Sequence, residues 1–253
     1  MSLASPRARP RAKPDAPRIS HPSRPRERSS GAGGRDRSAD FTDANGCDPT
    51  GSGGPGDGGG GAAAGGLHIL VNSGSYPGGS PGAIGPIETL VDDELLSDFD
   101  VKYVGALRCS RASIPFLKEQ GWGRIINISG GNARNAGNLS GGARNVSMVH
   151  MTKTLSNHLG CFGITANCLH PGVTRTERTP GLLEARAAQL GISPEEVEQR
   201  DFAPDSTRGN AICRMVDASE IGYLTAYLCS DKAWAVTGEV IAAGGGTGTA
   251  VYY

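Results

Sequence analysis

The chain has no excess of either charge. Across 253 residues, 25 Lys and Arg are matched by 25 Asp and Glu. An overall basic field that would draw the protein to nucleic acid or an anionic membrane is therefore missing. No apolar run reaches transmembrane length, and the N-terminus has no apolar core of a signal peptide. These absences point to a cytoplasmic protein with neither nucleic acid nor membrane as partner. The Asn-x-Ser matches at Asn127, Asn138 and Asn145 then carry no meaning as glycosylation sites. There is also no C-x-x-C pair. Cys47, Cys109, Cys161, Cys168, Cys213 and Cys229 are scattered, as expected for small buried residues in a reducing compartment, with no metal site and no disulfide framework. Hydrophobic residues are scarce at 37%, while glycine is abundant at 39 residues. That imbalance implies that part of the chain does not fold.

The unbalanced part lies at the start. From Met1 to Gly66 the chain is rich first in Arg and Pro, then in Gly, with no helical or strand period. Such a composition cannot bury enough apolar surface to offset its ordering entropy. Gly51-Ser52-Gly53-Gly54-Pro55-Gly56 matches G-x-G-x-x-G by letter, but no strand precedes it and a glycine run follows. The phosphate-binding fingerprint needs a strand before it and a helix after it. Three readings of this leader stand: a basic tail for an anionic surface, a solvated disordered segment, or out-of-frame translation of a GC-rich gene replacing the start of the domain. The second is favoured over the first, because the basic residues are not interleaved with aromatics.

Ordinary protein sequence begins at Leu67. Leu67-His68-Ile69-Leu70-Val71 reads as a strand ended by Asn72-Ser73-Gly74-Ser75. A helix capped by Asp92 or Asp93 runs towards Leu117, with Pro115 near its end. Gly123 to Gly131 contains a run of Ile that suits a strand buried on both faces. A helix from about Gly141 to His158 follows, with Arg144 and Lys153 read as surface charges and His150 and His158 as core or surface residues. Ile164 to Leu169 is a strand running into Pro171-Gly172. Proline fixes φ and donates no N–H, and glycine tolerates unusual dihedrals, so this turn opens backbone to a ligand at a strand's carboxyl end. Helices are expected from Leu182 to Leu190, from a Ser193 cap, and from Asp217 to Leu228, with a last strand from Val236 to Ile241.

In order and spacing, these motifs resemble the short-chain dehydrogenase/reductase family from about Leu67 to Gly246. The matching runs are Asn72-Ser73-Gly74, Gly123 to Ser129, Asn167 to Thr174, Ser230-Asp231, and Thr237-Gly238 to Ile241. The resemblance implies an α/β fold, a Rossmann-like doubly wound parallel sheet, incomplete in its N-terminal half. Residues 1–66 would be a leader, and 67–253 a domain lacking its first βαβ unit. It also implies NAD or NADP as cofactor, held by Asn72, Gly74, Pro171, Gly172, Val173 and Thr174. The other implications are a small-molecule carbonyl or alcohol substrate and a homo-oligomer built through the two long helices.

The catalytic positions depart from the pattern. Where the family has its catalytic serine this chain has Gly130, leaving Ser129 beside it. The Tyr-x-x-x-Lys positions fall on Gly141 and Asn145, and the relay asparagine falls on Lys102, read as a departure from the pattern, not a substitute catalyst. Tyrosine would exchange the proton with the carbonyl oxygen, and lysine would lower its pKa and hold the ribose. Gly141 does neither, while Asn145 retains the ability to bond a ribose hydroxyl. Ser129 and Asn145 are thus the catalytic candidates, and no metal is expected. Two functions remain: an oxidoreductase with a degenerate site, or a non-catalytic nucleotide-binding or oligomer-forming relative.

Overall fold

The computed structural model describes residues 66–249. The leader and its glycine motif, Cys47 and the last four residues lie outside that range. Four strands form one parallel sheet: β1 (Ile69–Asn72), β2 (Gly123–Ile128), β3 (Ile164–Pro171) and, after two short strands, β6 (Val240–Ala243), in the spatial order β1-β2-β3-β6. Leu70 lies opposite Ile125, Ile126 opposite Asn167, and Leu169 opposite Ile241. β2 and β3 are the central pair and are buried almost end to end, which is why they carry near-continuous apolar residues.

Helices cover both faces. α1 (Asp92–Phe99) passes through a π-helical stretch, Asp100–Val104, directly into α2 (Gly105–Gln120). Asp92, Asp93 and Glu94 occupy the positive end of α1. Neither aspartate caps it. Val91 is the cap residue, and Glu94 reaches back to accept from the Gly82 N–H at 2.7 Å. Gly121, at φ 64°, ends α2. α3 (Leu139–Leu159) starts at Asn138, whose side chain accepts from the Gly141 N–H at 2.9 Å. Leu117 of α2 and Met148, Met151 and Leu155 of α3 pack on Leu70, Ile125, Ile164 and Ala166 of the sheet. The opposite face holds Ile126, Leu169 and Ile241 under Leu224 and Leu228 of α6 (Ala218–Leu228).

Between β3 and α6 lie β4 (Thr174–Arg175), α4 (Thr179–Leu190), α5 (Pro194–Asp201) and β5 (Val216–Asp217), with β4 and β5 paired in parallel. The Ser193 hydroxyl and the Glu196 carboxylate form the capping box that opens α5.

Three further sequence expectations change. The last strand starts at Val240 and not at Val236, because Gly238 adopts φ 75° and breaks the extended run. The segment before it is still held: the Asn167 carboxamide donates to the Val236 carbonyl at 2.8 Å and accepts from the Glu239 N–H at 3.2 Å. Arg144 is not a surface charge but is buried against Asp98 at 3.4 Å. Among the described cysteines, Cys161 and Cys213 are exposed and only Cys168 is fully buried.

Candidate functional site

The carboxyl ends of β1, β2 and β3 lie side by side, and the loops that leave them gather most of the candidate residues. Ligands of open α/β sheets sit there, where strand ends leave backbone groups unpaired. Asn72, the last residue of β1, is buried, and its amide donates to Asn127 Oδ1 at 2.8 Å and Ser110 Oγ at 3.2 Å. Asn127 in turn donates to Thr152 Oγ1 at 2.9 Å, and Thr152 donates to the Met148 carbonyl. This chain of bonds ties the ends of β1 and β2 to α2 and α3. The donor group of Asn72 is therefore committed to the scaffold, while Gly74, half-buried in the loop beyond, is backbone only.

Ser129 is 6% exposed, and its hydroxyl donates to the Asn145 carbonyl at 2.9 Å. The Asn145 side chain is buried too, and its Oδ1 accepts from no described group. A β-carbon on Gly130 would lie 2.9 Å from the Asn145 Nδ2, so a bare residue at 130 makes room for this amide. A β-carbon on Gly141 would meet the Asn132 Nδ2 at 2.9 Å. Two amides thus stand where the departures from the family pattern removed larger side chains. The structure brings Ser129 and Asn145 together through the bond from the Ser129 hydroxyl to the Asn145 carbonyl.

The turn after β3 is set by close backbone packing. Pro171 and Gly172 are half-buried, and a β-carbon on Gly172 would come within 2.6 Å of Gly244 Cα. Glycine is required at this crossing. Val173 is half-exposed, and the Thr174 hydroxyl donates to the Gly172 carbonyl at 3.1 Å, leaving the turn's outer edge open.

Four groups outside the sequence candidates belong to the same region, among them Lys102, which reads in the sequence as a departure from the family pattern. Asp98 is fully buried on α1. Burial raises its pKa, but hydrogen bonds from the Ser140 and Ser80 hydroxyls and the Ser80 N–H, with Arg144 alongside, bring it below the usual carboxylate range. Cys168 has its thiol pushed up to about 11, chiefly by burial. His170 is 3% exposed with neither ring nitrogen bonded, and burial, then the charges of Arg134 and Lys102, lower its pKa to about 4. It lines a cleft of about 210 Å³ with Arg134, Val146, Val149 and Val240.

Lys102 is the fourth. It sits in the π-helical stretch, 7% exposed, and its Nζ donates to the Ser129 carbonyl at 3.2 Å. Burial, with Arg144 next, lowers its pKa to about 8, against a smaller opposing effect of Cys168. The π turn that carries this lysine, a feature that concentrates at functional sites, is visible in the structure and is not written in residue types.

Among the described residues no group of three His, Cys, Asp or Glu gathers to hold a metal ion, and no helix is long and apolar enough to cross a membrane.

Residues 61–248 match a family model described as Enoyl-(Acyl carrier protein) reductase. Among curated proteins, the chain is 28% identical to the NADPH-dependent reductase BacG of Bacillus subtilis, over 72% of this chain and 67% of that protein. It is 30% identical to a 3-alpha-(or 20-beta)-hydroxysteroid dehydrogenase of Mycobacterium tuberculosis, over 72% of this chain and 61% of that protein. It is 32% identical to a chloroplastic NADPH-dependent aldehyde reductase-like protein of Arabidopsis thaliana, over 71% of this chain and 61% of that protein. The chain thus spans about two thirds or less of the length of these relatives. Of the solved structures, YwfH, an NADPH-dependent reductase involved in bacilysin biosynthesis, superposes with a TM-score of 0.64 at 26% identity, covering 75% of this chain and 70% of that one. L-Sorbose reductase from Gluconobacter frateurii, complexed with NADPH and L-sorbose, has a TM-score of 0.66 at 21% identity over 74% and 68% of the two chains, a likeness of fold.

Proposed function

Because the chain belongs to the short-chain dehydrogenase/reductase family, we propose that it is an NAD(P)-dependent oxidoreductase acting on the carbonyl or alcohol of a small molecule, with an altered proton relay. The observation that carries this reading is the Asn145 carboxamide. Its Oδ1 is buried and unbonded beside the strand ends. An unpaired buried acceptor is costly unless a ligand supplies the donor. A ribose hydroxyl is such a donor, so the residues present fit the nicotinamide half of a dinucleotide.

When bound, the reduced dinucleotide supplies a hydride to the carbonyl carbon. The residues of this chain do the rest. Gly74, Pro171, Gly172, Val173 and Thr174 offer backbone and one hydroxyl to the cofactor, while Asn72 fixes the end of β1 on which that surface depends. Ser129 holds the Asn145 backbone in register through its hydroxyl. The relatives with NADPH in their names favour NADP over NAD. A homo-oligomer through α2 and α3 and a cytoplasmic location complete the proposal.

A second reading has its own support. Gly141 offers no hydroxyl, and a dinucleotide-binding relative without turnover needs none. Titrating the purified full-length chain with NADPH and NADH, followed by nicotinamide fluorescence, tests the shared part. Carbonyl-dependent loss of absorbance then separates the two. Binding with turnover supports the oxidoreductase, binding alone the non-catalytic relative, and no binding removes both.

A further inference from the structure

Reduction of a carbonyl needs a proton for the oxygen as well as a hydride for the carbon. The polar groups at the strand ends differ sharply in their ability to give one. The Ser129 hydroxyl is already donating to the Asn145 carbonyl. The Thr152 hydroxyl donates to Met148 and is fully buried. Asn72, Asn127 and Asn145 are amides. The Cys168 thiol is fully buried, at the foot of the same site. His170 stands in a cleft where burial, and then two neighbouring cations, keep the ring neutral. Tyr103 packs its ring against Phe99, in the cluster under α2.

Lys102 is different on three independent grounds. It is a buried ammonium with three N–H groups, of which the Ser129 carbonyl takes one. That bond pins it at the carboxyl end of β2, next to Ser129, whose hydroxyl bonds the Asn145 carbonyl on α3. And it lies in the five-residue π turn that joins α1 to α2, where the backbone departs from regular helix. Its proton affinity is lowered towards neutrality by burial and by Arg144, which is the range in which a general acid works well near neutral pH.

We propose that Lys102 is the proton donor of this site, a catalytic lysine delivered from the π turn. The proposal rests on the oxidoreductase reading above. A bound reduced dinucleotide would supply the hydride to the carbonyl carbon and would itself be oxidised. The carbonyl π pair moves onto oxygen, and that oxygen takes a proton from the Lys102 ammonium. The neutral amine then recovers a proton from water. The ammonium also stabilises the negative charge developing on oxygen in a site with little water to screen it.

The test uses the full-length chain with Lys102→Met, Lys102→Arg and Tyr76→Phe. Tyr76 is the other phenol near this loop, 44% exposed, with its carbonyl accepting from Arg144. NADPH affinity is read by nicotinamide fluorescence, turnover by absorbance against a panel of aldehydes and ketones, and the wild-type kcat across pH. Expected are a loss of about 100-fold or more in kcat for both Lys102 variants, with NADPH affinity of Lys102→Arg within about threefold of wild type. Tyr76→Phe keeps its rate, and wild-type reduction falls as pH rises through about 8, where the ammonium deprotonates. Lys102→Met turning over at the wild-type rate overturns the proposal and leaves the oxidoreductase reading standing. So does a loss confined to Tyr76→Phe. A wild-type chain that binds NADPH and reduces nothing overturns both the proposal and the catalytic reading. A wild-type chain that binds no dinucleotide removes the cofactor reading itself.

Discussion

Replacing Lys102 by methionine is expected to make the protein more stable at neutral pH. Lys102 is 7% exposed, and burial, with Arg144 next, brings its pKa from 10.5 to about 8. That displacement corresponds to about 3 kcal/mol of penalty on the charged form. Methionine keeps the apolar stem and removes the charge, but leaves the Ser129 carbonyl without the donor it has at 3.2 Å. The lost bond returns about 1–2 kcal/mol. The net gain is about 1–2 kcal/mol, or roughly 4 °C in Tm for a domain of this size. The pH dependence follows from linkage. Below about 8 the lysine is protonated in both states, so the penalty is constant and fully present. Between about 8 and 10.5 the unfolded chain binds more protons than the folded one, so wild-type stability rises with pH. Lys102→Met has no such rise. The gap between the two proteins should therefore narrow by about 2 kcal/mol from about pH 7 to about pH 9.5. Urea unfolding followed by circular dichroism measures both, and taking the difference cancels the groups they share. A variant less stable than wild type at pH 7, or a gap constant through this window, refutes the assignment of a strained buried ammonium. A gain in stability with a loss of turnover would be the trade expected of a functional group held in an unfavourable place.

Three other substitutions test the surrounding structure. Asn145→Ala removes the free Oδ1 and is expected to weaken NADPH binding by about 10-fold, worth about 1.4 kcal/mol, with an unchanged Tm; unchanged affinity by fluorescence titration refutes the ribose contact. Asn127→Ala strands the bonds to Asn72 and Thr152 and should cost about 2–4 kcal/mol in urea unfolding; a cost below about 0.5 kcal/mol, the level of a surface substitution, shows the network is not under load. Gly172→Ala puts a methyl group 2.6 Å from Gly244 Cα, so the Pro171-Gly172 turn must shift. NADPH affinity should fall well before the far-ultraviolet spectrum changes, and an intact affinity excludes the turn from the cofactor surface.

The two central strands were legible because an isoleucine-rich run such as Ile125-Ile126-Asn127-Ile128, followed by Ser129-Gly130-Gly131, has few alternatives in an α/β chain. So were the Ser193 cap and the helix opening at Asp217, where the deciding interactions span three residues. What the residues did not reveal depends on distant partners. Arg144 reads as a surface charge within α3, since nothing local announces Asp98, 46 positions earlier on another helix. The helix conceals its own buried face, because Ser140, Gly141, Arg144, Asn145 and Thr152 line it among the methionines and leucines. Lys102 reads as a departure from the family pattern, because residue type alone does not announce the π turn in which it is buried against the Ser129 carbonyl. Val236 was placed in a strand on apolar character alone, and the φ of Gly238 decides otherwise.

The Asn167 carboxamide, which bonds Val236 and Glu239, imitates a peptide unit. It gives the approaching segment a strand's hydrogen bonds before the strand begins. Those partners are 69 and 72 positions away along the chain. Closing so long a loop is entropically slow, so the C-terminal edge should dock late, after β2 and β3 have paired with the helices. The Glu239 amide then serves as a clock in a pulsed hydrogen-exchange experiment, gaining protection after the β2 and β3 amides. Any treatment that frees that edge would bare the Leu169 face of the sheet while the opposite face stayed closed, so the Asn167 amide is one latch of that edge beside the backbone bonds of Gly238 and Glu239.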